Sequence, residues 1–234
     1  MIANSAARLS VDALTFDAYG TLFDVQSVAA TAERLFPQRG AEISRLWRSK
    51  QLEYSWLQSL MQSPHQRRED FAALTAHALD YAAEALGLAL TGSARHRLLD
   101  AYLDLAAFDD AEPTLAALAP LPRIILSNGT RAMLEPLAAA TGLAAHLDTI
   151  LSVDSAGIYK PSPRVYQLAV DYLKLLPVRI GFVSANAWDT AGAKAFGLTA
   201  IWVNRAGAPF DRHGPRPDAM LRSLGELPAL LGKA

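Results

Sequence analysis

Residues 179–204 read RIGFVSANAWDTAGAKAFGLTAIWVN. Two short apolar and β-branched runs, RIGFVS (179–184) and TAIWVN (199–204), flank a helix-length stretch at about 187–196. A strand, a helix and a strand in such close succession read as a βαβ unit, whose strands lie parallel with the helix on one face. The alternation extends back to Pro113. RIILS (123–127) precedes a helix, DTILSV (148–153) follows it, and Pro161 to Leu176 has a helical pattern. The whole stretch predicts a parallel sheet covered by helices.

Upstream the pattern changes. Residues 13–17, ALTFD, form a short apolar run ending in an acid and leading into AYGTLFD, which reads as a buried strand entering a loop. From about Val25 to Ala107 the pattern is helical, with no convincing strand. VQSVAATAERLF is stopped by Pro37 and Gly40. In AEISRLWRSKQLEYSWLQSLM, Leu46, Leu52, Leu57 and Leu60 suggest an apolar stripe with Trp56 beside it. DFAALTAHALDYAAEALG ends at Gly87, a C-cap candidate, and SARHRLLDAYLDLAAF follows Gly92. The expected class is α/β: a core from residues 1–24 and 108–234, with a helical domain of residues 25–107 inserted after the first strand. Residues 205–217, rich in Pro and Gly, read as a surface loop. Internal repeats are absent.

Composition narrows the function. The chain has 234 residues, 51% hydrophobic and 19% charged, which is globular rather than disordered. It has no cysteine, which excludes disulfides, thiolate nucleophiles and cysteine-ligated metal centres. Twenty-two basic and 23 acidic residues leave a net charge of −1, too little to attract nucleic acid or an anionic membrane. MIANSAARLSVD (1–12) lacks the basic and apolar regions of a signal peptide, and no run of about 18 apolar residues suggests a membrane span. The expected location is the cytoplasm.

In open α/β sheets the reactive groups collect at the carboxyl ends of the strands. There the sequence places Asp17, Tyr19, Gly20 and Thr21, then Ser127, Asn128 and Gly129, then a loop to Lys160-Pro161, then Ser184, Asn186, Trp188 and Asp189. Each has an ordinary reading taken alone: Asp17 caps a turn, Ser127-Asn128-Gly129 is turn chemistry, Lys160 is a solvated loop lysine, and Asp189 favours a helix N-terminus. Together, at successive strand ends, they point to a site. No G-x-G-x-x-G, Walker lysine loop or G-x-S-x-G elbow is present, and none of the five histidines falls at a predicted strand end. Asp17 is the remaining candidate nucleophile.

FDAYGTLFDV (16–25), ILSNG (125–129), YKP with RVY (159–166) and FVSANAWD (182–189) resemble the haloacid dehalogenase superfamily, and within it the (S)-2-haloacid dehalogenases. WRSKQLEYSWLQSLM (47–61) resembles that group's cap. The resemblance spans nearly the whole chain, in order. It implies a Rossmann-like core with a helical cap, a homodimer, and hydrolysis of short L-2-haloalkanoic acids to D-2-hydroxyalkanoic acids through an ester on Asp17. It implies that Lys160 stands beside Asp17 and holds it ionised, that Thr21 and Ser184 orient Asp17, and that Asn186 and Asp189 serve ester hydrolysis. Arg48, Asn128 and Trp188 would face the departing halide. Ser127 and the backbone near Ala18 and Asn128 would hold the substrate carboxylate. Tyr19, Leu52 and Trp188 would form the pocket wall, and Tyr166 is a further site residue.

The superfamily's phosphatases carry a second Asp two residues after the nucleophile and an acidic magnesium ligand behind the fourth strand. Here those places hold Tyr19 and Ser184-Ala185-Asn186. A hard oxygen cage is difficult to build from them, so neither metal nor cofactor is expected. Ala18, Ala185 and Ser49 depart from residues common in the dehalogenases and bear on pocket shape. The alternatives are a magnesium-dependent phosphatase of the same fold and a non-catalytic binding protein. Asp17, Lys160, Arg48 and Asp189 together argue against the latter.

Overall fold

The computed structural model describes residues 9–62, 65 and 67–233. Residues 1–8, which carry most of the N-terminal reading above, and Ser63, Pro64, Gln66 and Ala234 lie outside the described residues.

Six strands form one sheet: β1 Ala13–Phe16, β2 Arg123–Ser127, β3 Thr149–Ser152, β4 Ile180–Ser184, β5 Thr199–Val203 and β6 Ala219–Leu221. Their spatial order is β3-β2-β1-β4-β5-β6, and every pairing is parallel. Every residue of β1, β4 and β5 is buried, as expected of strands with both faces covered. The helices are α1 Ser27–Leu35, α2 Gly40–Leu60, α3 Phe71–Ala85, α4 Gly92–Leu103, α5 Ala111–Ala117, α6 Arg131–Ala140, α7 Pro163–Leu173, α8 Ala187–Phe196 and α9 Leu227–Leu230.

The chain builds outward from β1 to β2 and β3 on one side, then crosses to β4, β5 and β6 on the other. The reversal lies between β1 and β4, and a crevice opens at the carboxyl ends of strands at such a point. Phe16 pairs with Val183, so the next residues, Asp17 and Ser184, emerge side by side at that crevice.

Helices α1 to α4 fall between β1 and β2 and pack chiefly on one another. Asp70 and Thr91 cap α3 and α4 by accepting from the N–H groups of Ala73 and Ala94. Gly87, with φ +64°, follows the end of α3 in the left-handed conformation a C-cap needs. The chain leaves and returns to the core through one narrow ladder: Asp24 N–H donates to Ala106 O at 2.8 Å and Phe108 N–H to Leu22 O at 2.9 Å.

Several boundaries differ from the sequence reading. Asp17 stands one residue beyond β1. Helix α4 ends at Leu103 rather than 108, because Ala107 turns to bridge Phe23. The apolar stripe proposed for α2 is wrong in part: Leu60 is 81% exposed and Leu57 is exposed, while the buried face is Ile43, Trp47, Gln51 and Ser55. That face advances four residues at a time, the spacing of one helical turn. Its polar members are hydrogen-bonded: Gln51 Nε2 donates to Thr75 Oγ1 at 2.6 Å and Ser55 Oγ to Leu52 O at 2.7 Å. Helix α5 and the edge strand β6 were not anticipated.

Candidate active site

The loop after β1 places Asp17 in a cage of donors. Its Oδ2 accepts from Thr21 Oγ1 at 3.0 Å and Asn186 Nδ2 at 2.8 Å, with Ser184 Oγ at 3.5 Å. Its Oδ1 accepts from Lys160 Nζ at 3.0 Å. Thr21 is itself oriented, since its Oγ1 accepts from Ala185 N–H at 2.9 Å and so turns its proton to Asp17. Asn186 donates from Nδ2 to both Asp17 and Tyr19 O, which are acceptors only, so the orientation of its amide is fixed.

Lys160 is 1% exposed and bridges two carboxylates, reaching Asp189 Oδ2 at 2.8 Å. Its backbone N–H donates to Asn128 Oδ1 at 3.0 Å. That contact fixes the Asn128 amide: the oxygen faces Lys160, so the NH2 group is the end that can meet a ligand. Asp189, 0% exposed, lies in the first turn of α8, where the helix dipole favours a negative charge. Its Oδ1 accepts from Tyr166 Oη at 2.7 Å. Ser184 Oγ lies 3.3 Å from Asp189 Oδ2 and thus spans the two carboxylates.

Burial pushes the Asp189 carboxyl up to about 6. Lys160 opposes this shift, the Asp17 charge adds to it, and the Tyr166 hydrogen bond opposes it. Burial disfavours the Lys160 ammonium, but Asp17 and Asp189 outweigh burial and hold it above its ordinary value. Burial, reinforced by Asp189, keeps the Tyr166 phenol neutral and so a donor.

Close packing sets Tyr166. A Cβ on Gly192 of α8 would stand 2.6 Å from Tyr166 Oη and 2.5 Å from Pro161 Cβ. Gly192→Ala is therefore expected to cost about 1–3 kcal/mol of stability by overpacking and to displace the Tyr166 hydroxyl from Asp189. Thermal unfolding and the pH dependence described below measure both effects.

A second polar group lies on the helical side. Arg48 on α2 is half-buried, and its Nη1 donates to Gln51 Oε1 at 2.7 Å. Arg48 is not hydrogen-bonded to the Asp17 cluster, although its charge is felt at Tyr19. Tyr19 is buried, stacked on Phe71 with ring centroids 5.8 Å apart and tilted against Tyr102 at 5.4 Å. Trp188 is half-buried and meets Trp56 of α2 edge to face at 5.4 Å. Ser127 is buried at the end of β2, and its Oγ accepts from Gly129 N–H at 3.1 Å, which leaves its own proton to donate. Ala18 is buried beside Asp17, and Leu52 lies half-buried one turn after Arg48.

The structure thus joins Asp17, Thr21, Lys160, Tyr166, Ser184, Asn186 and Asp189 in one hydrogen-bonded cluster, with Asn128 attached through Lys160. Sequence reasoning missed Arg205, in the stretch read as a surface loop. Its guanidinium clasps Asp110 at 2.6 and 3.0 Å and donates to Thr21 O at 3.1 Å, tying down the loop that carries Asp17. It also missed Gln51 and Tyr102. Gln51 is signalled only by its place three residues after Arg48, one turn on, where helical side chains meet. Tyr102 gives no sequence signal.

A family model described as haloacid dehalogenase-like hydrolase matches residues 11–197. An (S)-2-haloacid dehalogenase from Pseudomonas sp. (strain YL) is 44% identical over 216 residues, covering 92% of this chain and 91% of that protein. The (S)-2-haloacid dehalogenase 1 of Pseudomonas sp. (strain CBS-3) is 45% identical over 94% of this chain and 96% of its own length. Among solved structures, the L-2-haloacid dehalogenase from Xanthobacter autotrophicus with chloropropionic acid covalently bound superposes with a TM-score of 0.87. It has 40% identity and covers 95% of this chain and 98% of that one.

Proposed function

The chain belongs to the haloacid dehalogenase-like hydrolases, in the (S)-2-haloacid dehalogenase branch, and from that premise we propose that it converts short L-2-haloalkanoic acids to D-2-hydroxyalkanoic acids through an ester on Asp17, without a metal ion. The observation that carries this reading is the buried carboxylate–ammonium–carboxylate row Asp17–Lys160–Asp189 at the switch point of the sheet.

An Asp17 oxygen attacks C2 of the substrate, the carbon–halogen bond breaks, and halide leaves with the bonding pair. Water then adds to the Asp17 carboxyl carbon and gives up a proton. The oxygen bonded to C2 leaves with the product and takes up a proton, so C2 is inverted once. Donors on both Asp17 oxygens hold the carboxylate at one angle, so little reorganisation is needed for attack. Asp189 aims the Lys160 ammonium and orients the hydrolytic water, and Tyr166 steadies Asp189. The Ser127 hydroxyl and the backbone near Ala18 and Asn128 receive the substrate carboxylate. Arg48, the Asn128 NH2 group and the Trp188 edge receive the halide, a large anion suited to N–H donors. Tyr19, Leu52 and Trp188 line the apolar wall. Lys160 already supplies the cation between the two carboxylates, and Tyr19 offers no carboxylate where a magnesium ligand would be needed.

Residues 25–107 act as a cap on a core of residues 1–24 and 108–234, a division supported by the self-packing of α1 to α4 and the narrow ladder at Leu22–Asp24. Exposed Leu57, Leu60 and Met61 at the end of α2 support a homodimer through the cap. Among the described residues no helix is long and apolar enough to cross a membrane, and the absence of cysteine supports a cytoplasmic setting.

The test is halide release from L- and D-2-chloropropionate with EDTA present. Release from the L-form alone is expected. Release from neither, with magnesium-dependent hydrolysis of p-nitrophenyl phosphate instead, would replace this reading with a phosphatase.

The pH profile follows from Asp189. It must be ionised to hold Lys160, so kcat/KM, which reports the free enzyme, rises with pH through about 6 and then levels. The Tyr166 hydrogen bond lowers the Asp189 pKa, so Tyr166→Phe moves this limb to higher pH. A pH–rate profile of that variant with an unmoved limb would refute the assignment.

A further inference from the structure

The buried polar face of α2 has no role in the chemistry above, yet it ends on Arg48. Gln51 is 0% exposed, and Thr75 and Tyr102 are buried with it. Gln51 Oε1 accepts from Arg48 Nη1 at 2.7 Å and from Tyr102 Oη at 2.9 Å. Arg48 Nη1 also donates to Tyr102 Oη at 3.4 Å. At its other end Gln51 Nε2 donates to Thr75 Oγ1 at 2.6 Å, and Thr75 donates to Phe71 O at 2.6 Å. Every proton direction is forced. Arg48 has donors only, so the Tyr102 proton must go to Gln51. The Gln51 oxygen must then face both, and its NH2 group must face Thr75. The chain links α2, α3 and α4, and its Gln51, Thr75 and Tyr102 members are shielded from solvent; such satisfied buried networks fix a single arrangement.

An arginine that serves only as a surface charge needs no such mooring. An arginine that needed only neutralising would be met by a carboxylate. Here the acceptor is a neutral amide, which holds Nη1 in place and leaves the positive charge uncompensated. We propose that Gln51, with Tyr102 beside it, is a positioning residue that aims the Arg48 guanidinium at the departing halide while preserving its charge. This rests on the dehalogenase reading and adds to it the group that sets the halide-binding arginine.

The experiment compares kcat/KM for L-2-chloropropionate and L-2-bromopropionate in the wild type, Gln51→Glu and Tyr102→Phe, with thermal unfolding of each. Gln51→Glu keeps the shape and the acceptor but cancels the Arg48 charge. A loss of about 100-fold on the chloro acid is expected, of the size seen when a transition-state donor is lost or misplaced. The loss on the bromo acid is expected to be several-fold smaller, because bromide is the better leaving group and needs less assistance. Tyr102→Phe removes one hydroxyl and is expected to show the same inequality with about a tenfold loss on the chloro acid. Equal losses on both acids, or activity within about twofold of wild type, would overturn the proposal. If Gln51→Glu does not fold, Tyr102→Phe decides by the same criterion. A wild type that releases no halide from either acid would overturn the dehalogenase reading itself, an outcome separate from these.

Discussion

Asp17→Asn is expected to abolish halide release from L-2-chloropropionate, with a fall of about four orders of magnitude or more in kcat, the scale seen when a nucleophile is removed. The substitution exchanges one carboxylate oxygen for an NH2 group of nearly the same size. Two geometric consequences follow. If nitrogen takes the Oδ2 place, it faces the donors Thr21 Oγ1 and Asn186 Nδ2. If it takes the Oδ1 place, it faces the Lys160 ammonium. In either orientation donor meets donor, and a neutral amide is a poor nucleophile toward saturated carbon. Asp17 is nearly buried at the end of a fully paired strand, so the fold should survive; circular dichroism and thermal unfolding check this. A variant that folds and retains more than about a hundredth of wild-type turnover would remove Asp17 from the mechanism.

Lys160→Met is expected to be both inactive and unstable, and unstable in a pH-dependent way. Removing one partner of a buried ion pair strands the other, at a cost of about 3–5 kcal/mol. Here two carboxylates are stranded, with Ser184 Oγ within 3.5 Å of each. Like charges so placed favour protonation of one of them. Asp189, already pushed up to about 6 by burial with Lys160 opposing, rises further once Lys160 is gone. An acid whose folded pKa exceeds its unfolded value of about 3.9 loses stability as pH rises between the two. The wild type completes that loss near pH 6, whereas the variant continues to lose above it. The Lys160 contribution of the wild type is present throughout, because its raised pKa places the loss above the ordinary lysine range. The stability gap between the two proteins is therefore smaller at pH 5 than at pH 8. Urea unfolding at the two pH values measures it, and a gap independent of pH would contradict the picture of two stranded carboxylates.

The parts of this site that could be read in the chain are those the sheet itself delivers. Parallel strands end at one edge, so Asp17, Ser127, Asn128, Ser184, Asn186 and Asp189 fall together once the strands are recognised, and β1, β2, β4 and β5 are short, mostly apolar runs. Lys160 is legible for the same reason, although its solvated appearance before Pro161 hides a side chain that is fully enclosed. Arg205 was not legible. Nothing in a Pro/Gly-rich stretch says that one guanidinium turns back to clasp Asp110 and Thr21. Gln51 was hidden by the rule that polar residues on an amphipathic helix face outward. The same rule turned Leu57 and Leu60 inward, whereas both are exposed. On α2 the rule fails where a polar residue is buried to hold another residue, and Gln51 holds Arg48. Strand β6, Ala219–Leu221, spans only 3 residues, too few to show a period.

The central claim is that the oxygen delivered to C2 comes from Asp17 and not from water. The direct measurement is a single turnover of L-2-chloropropionate by excess enzyme in heavy-oxygen water, followed by mass spectrometry of the lactate and of the peptide containing Asp17. The account predicts unlabelled oxygen at C2 of the lactate and one heavy oxygen in the Asp17 carboxyl group. Heavy oxygen at C2 after the first turnover, with Asp17 unlabelled, would mean that water attacks the substrate directly and that no ester forms.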